Sequence, residues 1–227
     1  MLRMDAPSIV QARRPGPRAL RVDATLSEVF AEPGAEAAAI GFVLARLGSG
    51  GASVLWIQDR LVQRETGRPF LAGLGLQRPL MVMQLSRPVD VMTAVEEGLR
   101  CRALAAVIAE IRGNPAAVSF TAMKRLALRA EASAVPCWLI RQAANADLSA
   151  ARDRWRIGTR PSAANPDDPR APGDPCWRVG LFRSRGGRPG EWVAHHDRAA
   201  DRVDLVAAVP DGTLAEDTGA VGQRAAR

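Results

Sequence analysis

Hydrophobic positions along the chain change period several times, and each change marks an element. "ATLSEVF" (24–30) reads as a short strand, and "EAAAIGFVLARL" (36–47) sets Ile40, Leu44 and Leu47 on one helical face. Gly48 and the Gly50-Gly51 pair stop that helix. "SVLWIQ" (53–58) and "LMVMQL" (80–85) read as buried strands, separated by a Gly-rich connection that holds "GRPFLAGLGL". Helical spacing returns in "DVMTAVEEGLRC" (90–101), with Val91, Val95 and Leu99 in register. "LAAVIAEI" (104–111) is a continuous apolar run, expected in the centre of a parallel sheet covered on both faces. "FTAMKRLALRAEAS" (120–133) predicts a helix with Phe120, Met123, Ala127 and Ala130 on one face and Lys124, Arg125 and Arg129 towards another. "VPCWLIR" (135–141) closes the series.

This order predicts an α/β fold with a mainly parallel sheet flanked by helices. Beyond it, "DRWRIGT" (153–159), "CWRVGLFRS" (176–184) and "GEWVAHH" (190–196) alternate polar and apolar residues, as antiparallel strands added at the C-terminal edge do. Between them "PSAANPDDPRAPGDP" (161–175), with five prolines, predicts a mobile loop. Residues 1–22 carry Pro7, Pro15 and Pro17 among arginines that include Arg13 and Arg14, and read as a flexible basic arm. Residues 210–227 read as a disordered tail, which leaves one domain over 23–209.

The net charge of +7 is carried almost wholly by arginine, since Lys124 is the sole lysine. Arginine suits bidentate contacts to phosphate or carboxylate. A GC-rich coding bias produces the same composition, so only a clustered patch points to nucleic acid. Cys101, Cys137 and Cys176 are far apart, with no Cys-x-x-Cys pair, which argues against a disulfide framework or a zinc site and for a reducing compartment. Cys137, inside "VPCWLI", reads as a small core residue. With no secretory signal and no membrane-length apolar stretch, a cytoplasmic protein is expected.

Glu28 to Phe42, "EVFAEPGAEAAAIGF", is a strand, a Pro-Gly turn and a helix start, the geometry of a phosphate-binding loop. Such a loop neutralises phosphates with a lysine and holds magnesium with Ser or Thr. Here the turn Glu32-Pro33-Gly34 leads to Glu36, Ala37 and Ala38, and no lysine occurs in residues 1–123. Glu32 and Glu36 set two carboxylates where a triphosphate would lie. Glu110 closes the apolar run "AAVIAEI", where nucleoside triphosphatases place an acid; otherwise a strand-end carboxylate is solvated or paired with arginine. His195 and His196 are neighbours that point to opposite strand faces and read as surface residues. No nucleophile elbow or metal-ligand spacing frames them, and neither cofactor nor metal is expected.

"SEVFAEPGAEAAAIGFVLARL", "VLWIQ", "VMTAVEEGLRCRALAAVIAEI", "RLALRAEASAVPCWLIR", "RWRIGTRPSA" and "CWRVGLFRSRGGRPGEWV", in that order, resemble the ImuA family, RecA-like and SulA-related proteins of damage-inducible mutagenesis cassettes. The resemblance spans about residues 22–195, and "EEGLRCRALAAVIAEI" and "RSRGGRPGEW" are its most specific pieces. It implies a RecA-like core that has lost its ATPase, with the loop lysine position at Ala37, the magnesium hydroxyl at Ala38 and a vestigial acidic position at Glu110. It also implies a non-catalytic role beside an inactive Y-family polymerase-like protein, an error-prone replicative-type polymerase and the RecA recombinase. Arg178, Arg183, Arg185 and Arg188, in a window without acids from Cys176 to Gly190, are the candidate contacts, with Arg13 and Arg14 in the arm. The alternative is direct binding of single-stranded DNA, with Trp177 or Trp192 stacking on bases.

Overall fold

A computed structural model describes residues 22–207, apart from 69 and 77. The basic arm with Arg13 and Arg14, and the tail at 210–227, lie outside the described residues. The described residues form one nine-stranded sheet built on an apolar centre. Its strands are β1 (Leu26–Ala31), β2 (Val54–Asp59), β3 (Leu80–Leu85), β4 (Ala106–Arg112), β5 (Cys137–Gln142), β6 (Asp153–Thr159), β7 (Cys176–Ser184), β8 (Gly190–Asp197) and β9 (Arg202–Ala207). They lie in the order β3-β2-β4-β5-β1-β6-β7-β8-β9. The first six are parallel, and β7 to β9 continue as antiparallel hairpins. β6 departs from the sequence expectation: it is parallel to β1 and antiparallel only to β7.

Right-handed crossovers decide where the helices go. The chain steps one way from β1 to β3 and the other way from β3 to β5, so its helices cover opposite faces. Helix α1 (Glu36–Leu47) packs on the face of Val29, Trp56, Ile108, Trp138 and Trp155. Helices α4 (Pro88–Gly98) and α5 (Phe120–Ser133) cover the face of Leu26, Ile57, Val107 and Leu139. Pro88 opens α4 at a position that needs no N–H, and the Ser119 side chain caps α5 by accepting from Ala122 N.

Val91 and Val95 of α4, and Leu99 that caps it, are fully buried, as their spacing predicts. Cys137 is also a core residue, and burial pushes its thiol up to about 12. On α1 Leu44 is buried as expected, but the stripe is rotated: Ala39, Phe42 and Val43 are inside with it, while Ile40 and Leu47 are only half-buried. The reason is Gly41, where a Cβ would stand 3.0 Å from the Trp177 ring; the missing side chain lets β7 press this side of the helix into the core. Phe120, expected on the inner face of α5, is 45% exposed at the helix's first turn.

The connection after β2 contains α2 (Arg60–Thr66) and α3 (Leu71–Leu74). Asp59 accepts from Leu61 N and starts α2 despite its polar sequence. The run "LMVMQL" is not a buried strand: β3 is one of the two outer strands, and Met81, Val82 and Met83 are 41–47% exposed. Residues 161–175 fold back on themselves through an Ala164–Pro172 bridge and a bond from Ala163 N to Asp174 O. No helix among the described residues is long and apolar enough to cross a membrane.

Candidate functional site

In open parallel sheets, ligands bind outside the carboxyl ends of the strands where chain direction switches. Here that place holds the β1–α1 turn. Four residues, Glu32 to Ala35, join strand to helix; Ala35 N donates to Glu32 O at 2.8 Å, and Gly34 takes φ +77°, which favours glycine. Arg178 Nη2, on β7, donates to the Glu32 carboxylate. Gly158 makes room for the pair, since a Cβ there would collide with that carboxylate and stand 3.0 Å from the Arg178 guanidinium.

A triphosphate needs clustered backbone donors, a lysine and a magnesium-holding hydroxyl. The turn offers Glu36 at the first helical position, the methyl groups of Ala37 and Ala38, and an arginine already committed to Glu32. The residues present do not fit a nucleoside triphosphate. Like charge from Glu32 and Glu36 opposes it further.

Glu110, on β4, is fully buried, neither solvated nor paired with arginine. Its Oε1 accepts from Trp56 Nε1 at 2.5 Å and Gln58 Nε2 at 2.9 Å, and its Oε2 from Gln142 Nε2 at 3.0 Å. Burial raises its pKa above the ordinary carboxylate range, and the three donors oppose that rise. Donors from β2 and β5 thus close over the oxygens that an ion or water would need.

The opposite face holds a buried ion triad that the sequence reading did not single out. Glu28 accepts from Arg141 Nη1 at 3.0 Å and from Arg154 Nε at 2.8 Å. Arg141 Nη2 also donates to Gly113 O at 2.8 Å and to Asn114 Oδ1 at 3.1 Å. Both guanidinium groups lie within 6 Å of the Phe30 ring, at 5.8 and 5.2 Å. A lone acid inside "LSEVFA" was the available clue, but its partners lie 113 and 126 residues away.

The four arginines proposed from the hairpin do not lie in one patch. Arg178 belongs to the turn. Arg183 and Arg185 line a groove of about 410 Å³ with Phe120, Lys124 and Leu128 of α5. Leu128 is 52% exposed, so apolar and basic side chains line this groove together. Arg152, also on its wall, donates to Glu131 at 2.6 Å and holds that carboxyl below its usual range. Arg188 is exposed in the β7–β8 connection. Trp177 is 6% exposed and stacks on His196 with ring centroids 6.0 Å apart, so it is a core residue and not a base platform. Both histidines are half-buried, and burial lowers the pKa of His196. Among the described residues no cluster of three or more His, Cys, Asp or Glu is arranged to hold a metal ion.

No protein-family model matches the chain. Over 160 residues it is 32% identical to Protein ImuA of Caulobacter vibrioides, in strain NA1000 / CB15N and equally in strain ATCC 19089 / CIP 103742 / CB 15. The match covers 66% of this chain and 62% of those relatives, so the chain spans less than two thirds of their length. Among solved structures, SulA from Pseudomonas aeruginosa aligns with a TM-score of 0.39 and 21% identity, over 52% of this chain and 97% of SulA.

Proposed function

The chain belongs to the ImuA family, and on that premise we propose that it is a non-catalytic accessory protein of DNA-damage-induced mutagenesis. It acts in the cytoplasm through contacts, bridging an inactive Y-family polymerase-like protein, an error-prone replicative-type polymerase and the RecA recombinase during translesion synthesis. Its core is a RecA-like fold kept for its shape. The observation that carries this reading is the Glu32–Arg178 pair, which occupies the turn where a nucleotide-binding relative needs free donors and a lysine. The test is affinity capture of the chain from cells treated with a DNA-damaging agent, washed before and after nuclease. Retention of the polymerase-like protein after nuclease supports bridging. Recovery of no damage-response protein overturns it.

A second reading, direct binding of single-stranded DNA, draws on Lys124, Arg183 and Arg185 in the groove, a set of cations lined by no acid. Phosphate contacts make affinity fall steeply with salt. Replacing the three with glutamate abolishes a salt-sensitive gel shift on this reading, and an unchanged shift removes it.

A further inference from the structure

Three exposed cations, Lys124, Arg183 and Arg185, line the groove between α5 and the end of β7. None of them forms an ion pair among the described residues, and Arg183 only donates to Ser149 O at 3.4 Å. The neighbouring acids are engaged elsewhere: Glu131 by Arg152 at 2.6 Å, and Asp153 by Ser184 Oγ at 2.6 Å. Phe120 and Leu128, exposed on α5 four residues either side of Lys124, add an apolar lining to the same groove. Such a surface suits an acidic segment with an apolar anchor. The chain carries one in residues 211–217, "DGTLAED", where Asp211, Glu216 and Asp217 surround Leu214, and no lysine or arginine occurs from 208 to 223.

We propose that residues 211–217 dock in this groove of their own chain, with Leu214 against Phe120 and Leu128 and the three carboxylates among Lys124, Arg183 and Arg185. The fold brings the segment within reach. β8 is antiparallel to both β7 and β9, so β9 runs the same way as β7, and the chain leaves it towards the end of β7 that holds Arg183 and Arg185. Ala207 stands level with Trp192, and Trp192 with Val179, which puts the exit two strands, about 10 Å, from β7. Arg183 lies four residues beyond Val179, about 13 Å along β7, so the direct span is roughly 16 Å. Leu214 follows Ala207 by seven residues, which stretch to about 23 Å. Charge and tether select this occupant. Residues 1–21 bring Arg3, Arg13, Arg14, Arg18 and Arg21 against Asp5 and are repelled. Single-stranded DNA or a separate acidic protein meets the same cations, but a tethered segment is present at an effective concentration of about millimolar, so contacts too weak to hold a free molecule suffice. A docked tail covers the cations on which DNA binding would draw.

Lys124 is the sole lysine, so zero-length carbodiimide coupling, which joins an amine to a carboxylate in contact with loss of water, reads this groove directly. The full chain at low salt yields Lys124 joined to Asp211, Glu216 or Asp217 within one molecule, identified by mass spectrometry of an equal mixture of isotope-labelled and unlabelled chains. R183E with R185E keeps Lys124 and lowers the yield at least about threefold. L214S does the same from the tail and leaves the groove unaltered, should the first variant fold poorly. Coupling of Lys124 to none of the three acids overturns the proposal, whether or not an oligothymidylate then shields Lys124. Coupling mainly between labelled and unlabelled chains, which assigns the groove to a second copy, also overturns it, as does a yield that neither variant lowers.

Discussion

Arg178 on β7 donates to the carboxylate of Glu32 in the turn after β1, joining residues 146 positions apart. The pair ties the hairpin region to the one loop where nucleotide chemistry would be sought. Both side chains keep some solvent contact, with Glu32 at 26% and Arg178 at 56% exposure, so the pair acts by occupancy more than by stability.

The first prediction follows from that occupancy. The chain shows no ATP binding by calorimetry at about 1 mM nucleotide, and installing the missing groups as A37K with A38T does not create it. Glu32, Glu36 and the short turn remain against the phosphates. Micromolar affinity in the double variant would mean that the turn is poised for nucleotide.

Buried charge makes the second prediction. Glu28 is 1% exposed and both its arginines 6%, so Glu28→Ala strands two cations in the sheet. Its cost is about 3–5 kcal/mol by urea unfolding. A loss below about 1 kcal/mol would show the triad to be solvated.

The third concerns pH. The raised pKa of Glu110 means that the folded chain holds its proton more tightly than the unfolded chain. Stability from this group is therefore present at low pH and is lost as pH rises from the ordinary carboxylate range through the folded value. Glu110→Gln removes that dependence, and Gln142, whose Oε1 is buried without a partner, can turn to accept from the new amide. The variant's stability relative to the parent rises between pH 5 and pH 8 in matched unfolding curves. A constant difference would show that Glu110 titrates normally.

Packing gives the fourth. Gly41→Val drives methyl groups into the Trp177 ring, already 3.0 Å from an ideal Cβ, and costs about 1–3 kcal/mol. Loss of near-ultraviolet tryptophan dichroism should accompany the lower midpoint, and an unchanged spectrum would place Trp177 elsewhere.

Much of the architecture was legible because period and length act locally. Val91, Val95 and Leu99 announced α4, and the unbroken "AVIA" of β4 announced a central strand. What escaped depended on distant partners. The α1 stripe was turned by Trp177, 136 residues beyond Gly41, and Glu110 was drawn inside by donors from β2 and β5. The polar "RLVQRET" of α2 hid behind its aspartate cap, and "RVDLVA" of β9 went unassigned because it turns only Val203 and Leu205 inward. The candidate site divided the same way: the missing lysine could be read directly, whereas the commitment of Arg178 to Glu32 needed the folded sheet. "LMVMQL" misled most usefully, since its composition reports burial that the isolated chain does not supply.

The most direct test of the account is the frequency of damage-induced mutation in the native host, with the gene deleted and then restored as the parent sequence or as E110Q. A protein that works by contact and not by turnover predicts a drop on deletion, and equal recovery with either form. No drop on deletion, or recovery with the parent sequence alone, would contradict it.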